Sequence, residues 1–103
     1  MSTDTIMAFL HQLKTDRELR RKAHAIDRVD PADAIAAVIG LAESEGYSFS
    51  VVDYVNLVKG QVAERHRRAG VEVDEAELNA RAGAAAGKPM LVAWALTEKE
   101  HHH

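Results

Sequence analysis

The residues of this chain that could do chemistry are few and scattered. Cysteine is absent, which removes thiolate nucleophiles, disulfides and zinc–thiolate sites. His11, His24 and His66 fall on three different predicted helices, and no histidine pair has the i,i+4 spacing of a metal-binding helix. They read as surface histidines. His101, His102 and His103 follow Glu100 as an expression tag would, and carry no functional weight. No nucleophile–base pair or carboxylate dyad can be picked out. Gly83 and Gly87 precede Lys88, but they lack the spacing and the Ser/Thr of a phosphate loop. The expectation is therefore no catalytic residue, no metal and no cofactor.

Charge is the next candidate. Arg17, Arg20, Arg21 and Lys22 form one basic cluster; Arg65, His66, Arg67 and Arg68 form another. Nucleic-acid binding needs basic charge on one face, often interleaved with aromatic side chains for stacking. Neither cluster contains an aromatic, acids are interspersed, and the net charge is −3. Two solvated helix faces are expected, with docking to an acidic enzyme surface as the functional alternative. A small nucleic-acid-binding domain is the third-ranked reading, and neither nucleic acid nor membrane is expected as a partner.

The elements that position these residues are helical by pattern. A chain of 103 residues, 47% apolar and only 5% aromatic, fits one small, Ala- and Leu-rich domain with a thin core. Ile6, Phe9, Leu10 and Leu13 recur at helical spacing after Ser2 or Thr3 as cap. Asp16 opens a short second helix through about Ile26, anchored by Leu19, Ala23 and Ile26. Asp30-Pro31 starts a third, since Pro fits the first helical position; Ile35, Val38, Ile39 and Ala42 form its apolar face and Gly46 ends it. Ser50 and Asp53 form a capping-box variant for a long fourth helix, with Phe49 as staple. Val51, Val55, Val58 and Val62 share a stripe there beside Tyr54, Gly60 permits close packing or marks a weak point, and Gly70 closes the helix. Asp74 opens a polar, Ala-rich helix with Leu78 as its one large anchor. Residues 82–89, AGAAAGKP, read as a flexible linker, and Met90 to Leu96 as an apolar island beyond it. The predicted fold is all-α: a small bundle of four to five short helices with a flexible C-terminal tail. No apolar run approaches the roughly 18 residues of a membrane span and no secretory signal is visible, so a cytoplasmic location is expected.

Several of these residues carry a resemblance. Phe9-Leu10, Leu13, Asp16 and Leu19-Arg20 are followed by the Ala/Ile-rich segment around Ile35. Then come Leu41-Ala42, Gly46-Tyr47-Ser48-Phe49-Ser50 and Asp53-Tyr54. In this order they resemble the nitrogen-fixation-eleven (Nif-eleven) family of small helical proteins and leader peptides, over about residues 4–55. Further on, Glu77-Leu78 followed by Ala82-Gly83-Ala84 is similar to the stretch that ends such leaders, with Gly-Ala where the family usually has Gly-Gly.

The resemblance implies a bacterial precursor of a ribosomally synthesised, post-translationally modified peptide, in natural-product biosynthesis. Residues 1–81 would be the helical leader, 82–89 a Gly/Ala linker with cleavage at Gly83 or Ala84, 90–100 the apolar tail or core peptide and 101–103 the tag remnant. The implied partners are a peptide-modifying enzyme and a leader peptidase or transporter. The implied recognition residues are Phe9, Leu13, Tyr47, Phe49 and Tyr54, with Arg20 and Arg21 as electrostatic help. From Ala85 to Glu100 the only hydroxyl is Thr97, which leaves little for lanthionine or thiazole chemistry. The remaining targets are backbone amides, for instance by N-methylation over Leu91, Val92, Ala93, Trp94 and Ala95, together with the Trp94, Lys88 and Met90 side chains and the acidic end. Two alternatives stay open. AGAAAG is a linker without a cleavage site, or the chain is a stand-alone interaction module associated with nitrogen-fixation genes, with Met90–Leu96 folded onto the domain and Trp94 as a packing anchor. The thin core and apolar tail also leave room for a homodimer.

Overall fold

The computed structural model describes residues 2–97, which form six helices and no strand. These are α1 (Ser2–Thr15), α2 (Arg17–His24), α3 (Pro31–Ser44), α4 (Val51–Ala69), α5 (Glu75–Ala86) and α6 (Pro89–Thr97). The all-α expectation holds. The end of the expected core peptide, 98–100, and the tag at 101–103 lie outside the described residues. Among the described residues no helix is long and apolar enough to cross a membrane.

Local chemistry accounts for most helix boundaries. Asp16 accepts from the Leu19 N–H at 3.1 Å and caps α2. Ser50 accepts from the Asp53 N–H at 3.0 Å and caps α4, and Asp74 accepts from the Glu77 N–H at 2.7 Å and caps α5. Each satisfies one of the backbone donors that a helix start leaves without an internal partner. Asp30 occupies the cap position of α3, with Pro31 following it, but makes no side-chain cap bond; its backbone carbonyl accepts from Ala34 N–H instead. Gly46 and Gly70 end α3 and α4 in the left-handed region, with φ of 90° and 73°. At the first, Tyr47 N–H reaches Ala42 O and Gly46 N–H reaches Glu43 O, the paired bonds of a Schellman stop.

The core forms around α1, whose Ile6, Phe9, Leu10 and Leu13 are fully buried. Leu19, Ala23, Val38, Ala42, Phe49, Tyr54 and Val58 join them in one cluster. The buried line of α4 runs through Tyr54 and Val58; Val51, expected on the same stripe, is 47% exposed. Gly60 is not a close-packing position, because an added Cβ there meets nothing within 4 Å.

The C-terminal part departs most from the sequence expectation. Residues 82–86 are not a linker but the second half of α5, and the apolar island is α6. Helix α5 lies on α4 and α3, and α6 lies mainly on α1. Ala82, Ala86 and Ala93 are fully buried and Val92 nearly so. The physical reason is size. Small residues at 82 and 86, one turn apart, let the α5 backbone come close to the bundle. Alanine is also the best helix former, so an Ala-rich stretch takes helical form once one face is covered. At the α5–α6 joint a Cβ on Gly87 would stand 2.8 Å from the Ala34 Cβ.

One hydrogen bond anchors this arrangement. The buried Tyr54 hydroxyl donates to Ala86 O at 2.8 Å, a carbonyl in the last turn of α5 with no helical partner of its own. Burial pushes the Tyr54 hydroxyl well above its ordinary value of 10.0, so it stays a neutral donor. Because the folded-state value is raised, the resulting stability is intact below pH 10 and is lost as pH rises further. Tyr54→Phe should therefore cost about 1–3 kcal/mol near neutral pH and flatten the loss of stability above pH 10, read by urea unfolding across pH. In the same assay Gly60→Ala should stabilise by about 0.5–1 kcal/mol, whereas Gly87→Ala should destabilise. A gain at Gly87 would contradict the close α3–α5 approach.

Candidate functional site

The residues singled out for recognition come together, but mostly inside the protein. The rings of Tyr47, Phe9, Phe49 and Tyr54 form a chain in that order. Successive centroids are 5.8, 5.9 and 5.7 Å apart, with tilted planes, the geometry aromatic quadrupoles favour. Phe9, Leu13 and Tyr54 have no exposed surface and Phe49 keeps 7%. In the closed fold these four are framework, and they place the α3–α4 turn against α1 without offering a face to a partner.

Tyr47, Arg20 and Arg21 do reach the surface. The Tyr47 hydroxyl donates to the Gln12 side-chain oxygen Oε1. The Gln12 amide donates to one Asp16 oxygen at 3.3 Å, while the other Asp16 oxygen accepts from Leu19 N–H. A polar chain thus runs from the α3–α4 turn, across α1, to the start of α2. Gln12 was not among the sequence candidates; its spacing of four from Asp16 was the available signal. Arg20 donates to the Lys14 carbonyl at 3.0 Å and ties α2 to the end of α1. Arg21 pairs with Glu18 on the exposed face, where such a pair contributes little to stability.

The second basic cluster is largely occupied by its own neighbours. Arg67 and Arg68 both pair with Glu64, and Lys59 pairs with Glu75. His66 donates from Nδ1 to Val62 O at 2.9 Å and accepts at Nε2 from Arg81 at 3.0 Å. Those two contacts assign its tautomer and give it a structural role between α4 and α5. Among the described residues no group of three or more His, Cys, Asp or Glu is placed to hold a metal ion.

The tail residues divide by face. Gly83 and Ala84 lie within α5, where a protease that needs an extended strand finds a hydrogen-bonded helix. Along α6, Val92 and Ala93 are buried, whereas Leu91 and Trp94 are 59% and 49% exposed. The side chain of Ala95 lies outside what the structure describes.

The polar chain predicts an acid-side effect. The Leu19 N–H and then the Gln12 amide hold the Asp16 carboxyl below its ordinary value of 3.8. With a depressed folded-state value, its stabilisation is present above pH 3.8 and is lost as pH falls below it. Asp16→Ala should lower Tm at pH 7, with the difference from wild type shrinking below pH 3.8. A difference independent of pH would mean that the carboxylate charge plays no part in the cap.

No curated protein and no solved structure is similar to the chain at a significant level. The Nif11 domain family model matches residues 1–53. That span runs from α1 through α3, the Gly46 stop and the aromatic turn into the first turn of α4. It contains Phe9, Gln12, Asp16, Tyr47 and Phe49, the residues that lock the N-terminal helices together. With more than half of its length matched in this way, the chain belongs to the Nif11 domain family, a family of peptide-precursor leaders.

Proposed function

We propose that this chain is the precursor of a ribosomally synthesised, post-translationally modified peptide. Its helical leader docks a modifying enzyme, and the C-terminal segment is the substrate. The observation that carries this reading is the Nif11 domain match over residues 1–53. A leader held by an enzyme presents its attached tail at a local concentration on the order of millimolar. Specificity then resides in the helical domain, and the tail sequence is free to vary.

The packing of α5 and α6 adds a condition. Cleavage at Gly83 or Ala84 requires a protease to take hold of an extended backbone, and N-methylation over Leu91–Ala95 requires accessible amide nitrogens. In the closed fold the Val92 N–H donates to Lys88 O at 3.2 Å. Both steps therefore need α5–α6 to leave the bundle first. Opening exposes Ala82, Ala86, Val92 and Ala93, and it breaks the Tyr54–Ala86 bond. An enzyme or peptidase acting on this segment would have to offset that cost through its own binding energy.

A second reading is favoured by the same burial. A stand-alone helical interaction module, with α5 and α6 as permanent parts of the fold, needs no opening. Two measurements separate the readings. Co-expression with the enzymes of the neighbouring genes, followed by mass spectrometry of the whole chain, should show a mass change within residues 85–100. An unaltered mass with every neighbour would remove the precursor reading. Hydrogen exchange of the purified chain should give α6 amides less protection than those of α1 if the tail opens as a unit. Equal protection of the two helices would favour the stand-alone module.

A further inference from the structure

An open cavity of about 370 Å³ lies between the end of α2 and the α5–α6 joint. Its apolar lining comes from Ala23 and Ile26 on one side and from Met90, Leu91 and Trp94 on the other. Leu91 and Trp94 stand three residues apart on α6, so they share a face, and both are about half exposed. Single exposed apolar side chains need no explanation, but two large ones opening into the same groove do.

The ionisable side chains among the described residues that line this groove are basic. Its ionisable lining is His24 and Lys88, and no carboxylate is among the described residues that line it. The Lys14 ammonium sits 4.4 Å from the centroid of the Trp94 ring, a cation–π contact that fixes a positive charge beside the apolar wall. Among the described residues, neither Lys14 nor Lys88 has a carboxylate within ion-pair distance. Asp27 and Arg28, which follow Ile26, are exposed, lie outside the lining and cancel in charge.

We propose that this groove is the docking site for an acidic, amphipathic peptide segment of a partner protein. The apolar side chains of that segment would enter between Ile26 and the Leu91–Trp94 face, and its carboxylates would meet Lys14 and Lys88. Burying apolar anchors in a groove supplies affinity, and the charges select and orient the partner. A nucleic acid fits poorly, since Ile26 and Leu91 offer nothing to a phosphate backbone and Trp94 is the only aromatic there. An anionic membrane would suit exposed Trp, Leu and Lys on a protruding face, whereas these line a concavity. The proposal stands whether or not the tail is modified: the precursor and the stand-alone module both need a protein partner, and neither reading fixes the surface it uses.

Trp94 is the sole tryptophan, so its fluorescence reports on the groove directly. The full chain would be titrated with a synthetic helical peptide carrying Leu at i and i+4 among Glu residues, and with the same peptide bearing Lys for Glu. The expected result is a saturable blue shift of Trp94 emission with the acidic peptide, and binding roughly tenfold weaker with the basic one. Lys88→Glu should weaken the acidic peptide by roughly fivefold and improve the basic one. Leu91→Glu should abolish the shift while far-UV circular dichroism stays unchanged. Equal response to both peptides would overturn the proposal. So would a blue shift with phosphatidylserine vesicles and none with peptide, or one that follows protein concentration alone and marks self-association. None of these readouts depends on tail modification, so failure here leaves the co-expression result to be judged separately.

Discussion

Covering one face of α1 is the constraint on which the rest of this structure depends. A 14-residue helix is marginal in water by itself. Ile6, Phe9, Leu10 and Leu13 fall on one side of it, and all four are fully buried. Three other helices cover that side. Helices α2 and α4 take part of the surface, and α6 lies along more of it than either. The aromatic chain from Tyr47 to Tyr54 fixes the α3–α4 turn to the middle of α1 through Phe9. The Nif11-matched span is thus not closed on its own. Its first helix is completed by an element that lies beyond the match, so removing α6 would expose leader core and tail core together.

This dependence explains which parts of the fold were legible in the sequence. The Asp16, Ser50 and Asp74 caps and the Gly46 and Gly70 stops are decided within a few residues by hydrogen bonding and φ, and these signals read correctly. The α1 face was legible for a similar reason, since its apolar spacing repeats over two turns. AGAAAG was misread because Ala and Gly serve two opposite purposes. They leave a chain loose when nothing covers them, and they allow the closest helix approach when something does. Ala82 and Ala86 are of the second kind. What covers them, α4 with Tyr54, is far away in sequence, so no local window contains the deciding contact. MLVAWAL stayed open between two readings for a different reason: a short apolar run has no period long enough to separate an exposed peptide from a short buried helix.

The candidate site was legible as a set and not as a surface. Phe9, Leu13, Asp16, Tyr47, Phe49 and Tyr54 form one contiguous structure, as residues carrying a shared pattern should. An aromatic that packs a turn and one that greets a partner are the same residue type, however. Burial separates them, and it assigns all but Tyr47 and Asp16 to the interior. In this chain the residues that carry the pattern therefore serve folding: a cap, a stop and an aromatic joint set the frame. What the frame displays is Arg20, Arg21, Tyr47 and the exposed side of α6.

If the C-terminal segment is a substrate, sharing one small domain with the leader constrains how a partner can reach it. If α5 and α6 were a loose tail, a partner would need only to hold the leader. With the tail latched by the Tyr54–Ala86 bond and by burial of Val92 and Ala93, a closed and an open form would be two states of one equilibrium. A partner shifts that equilibrium only by binding one form better than the other. An enzyme that gripped the α1–α4 frame equally in both would gain affinity without gaining access. Access requires contacts that the open form alone provides, and the α1 face beneath α6 is an apolar surface that opening would uncover. Conversely, a partner seated in the groove beside Leu91 and Trp94 would favour the closed form, because that groove exists only while α6 lies beside α2. The same helix would then hold the tail back when one partner is bound and release it to another.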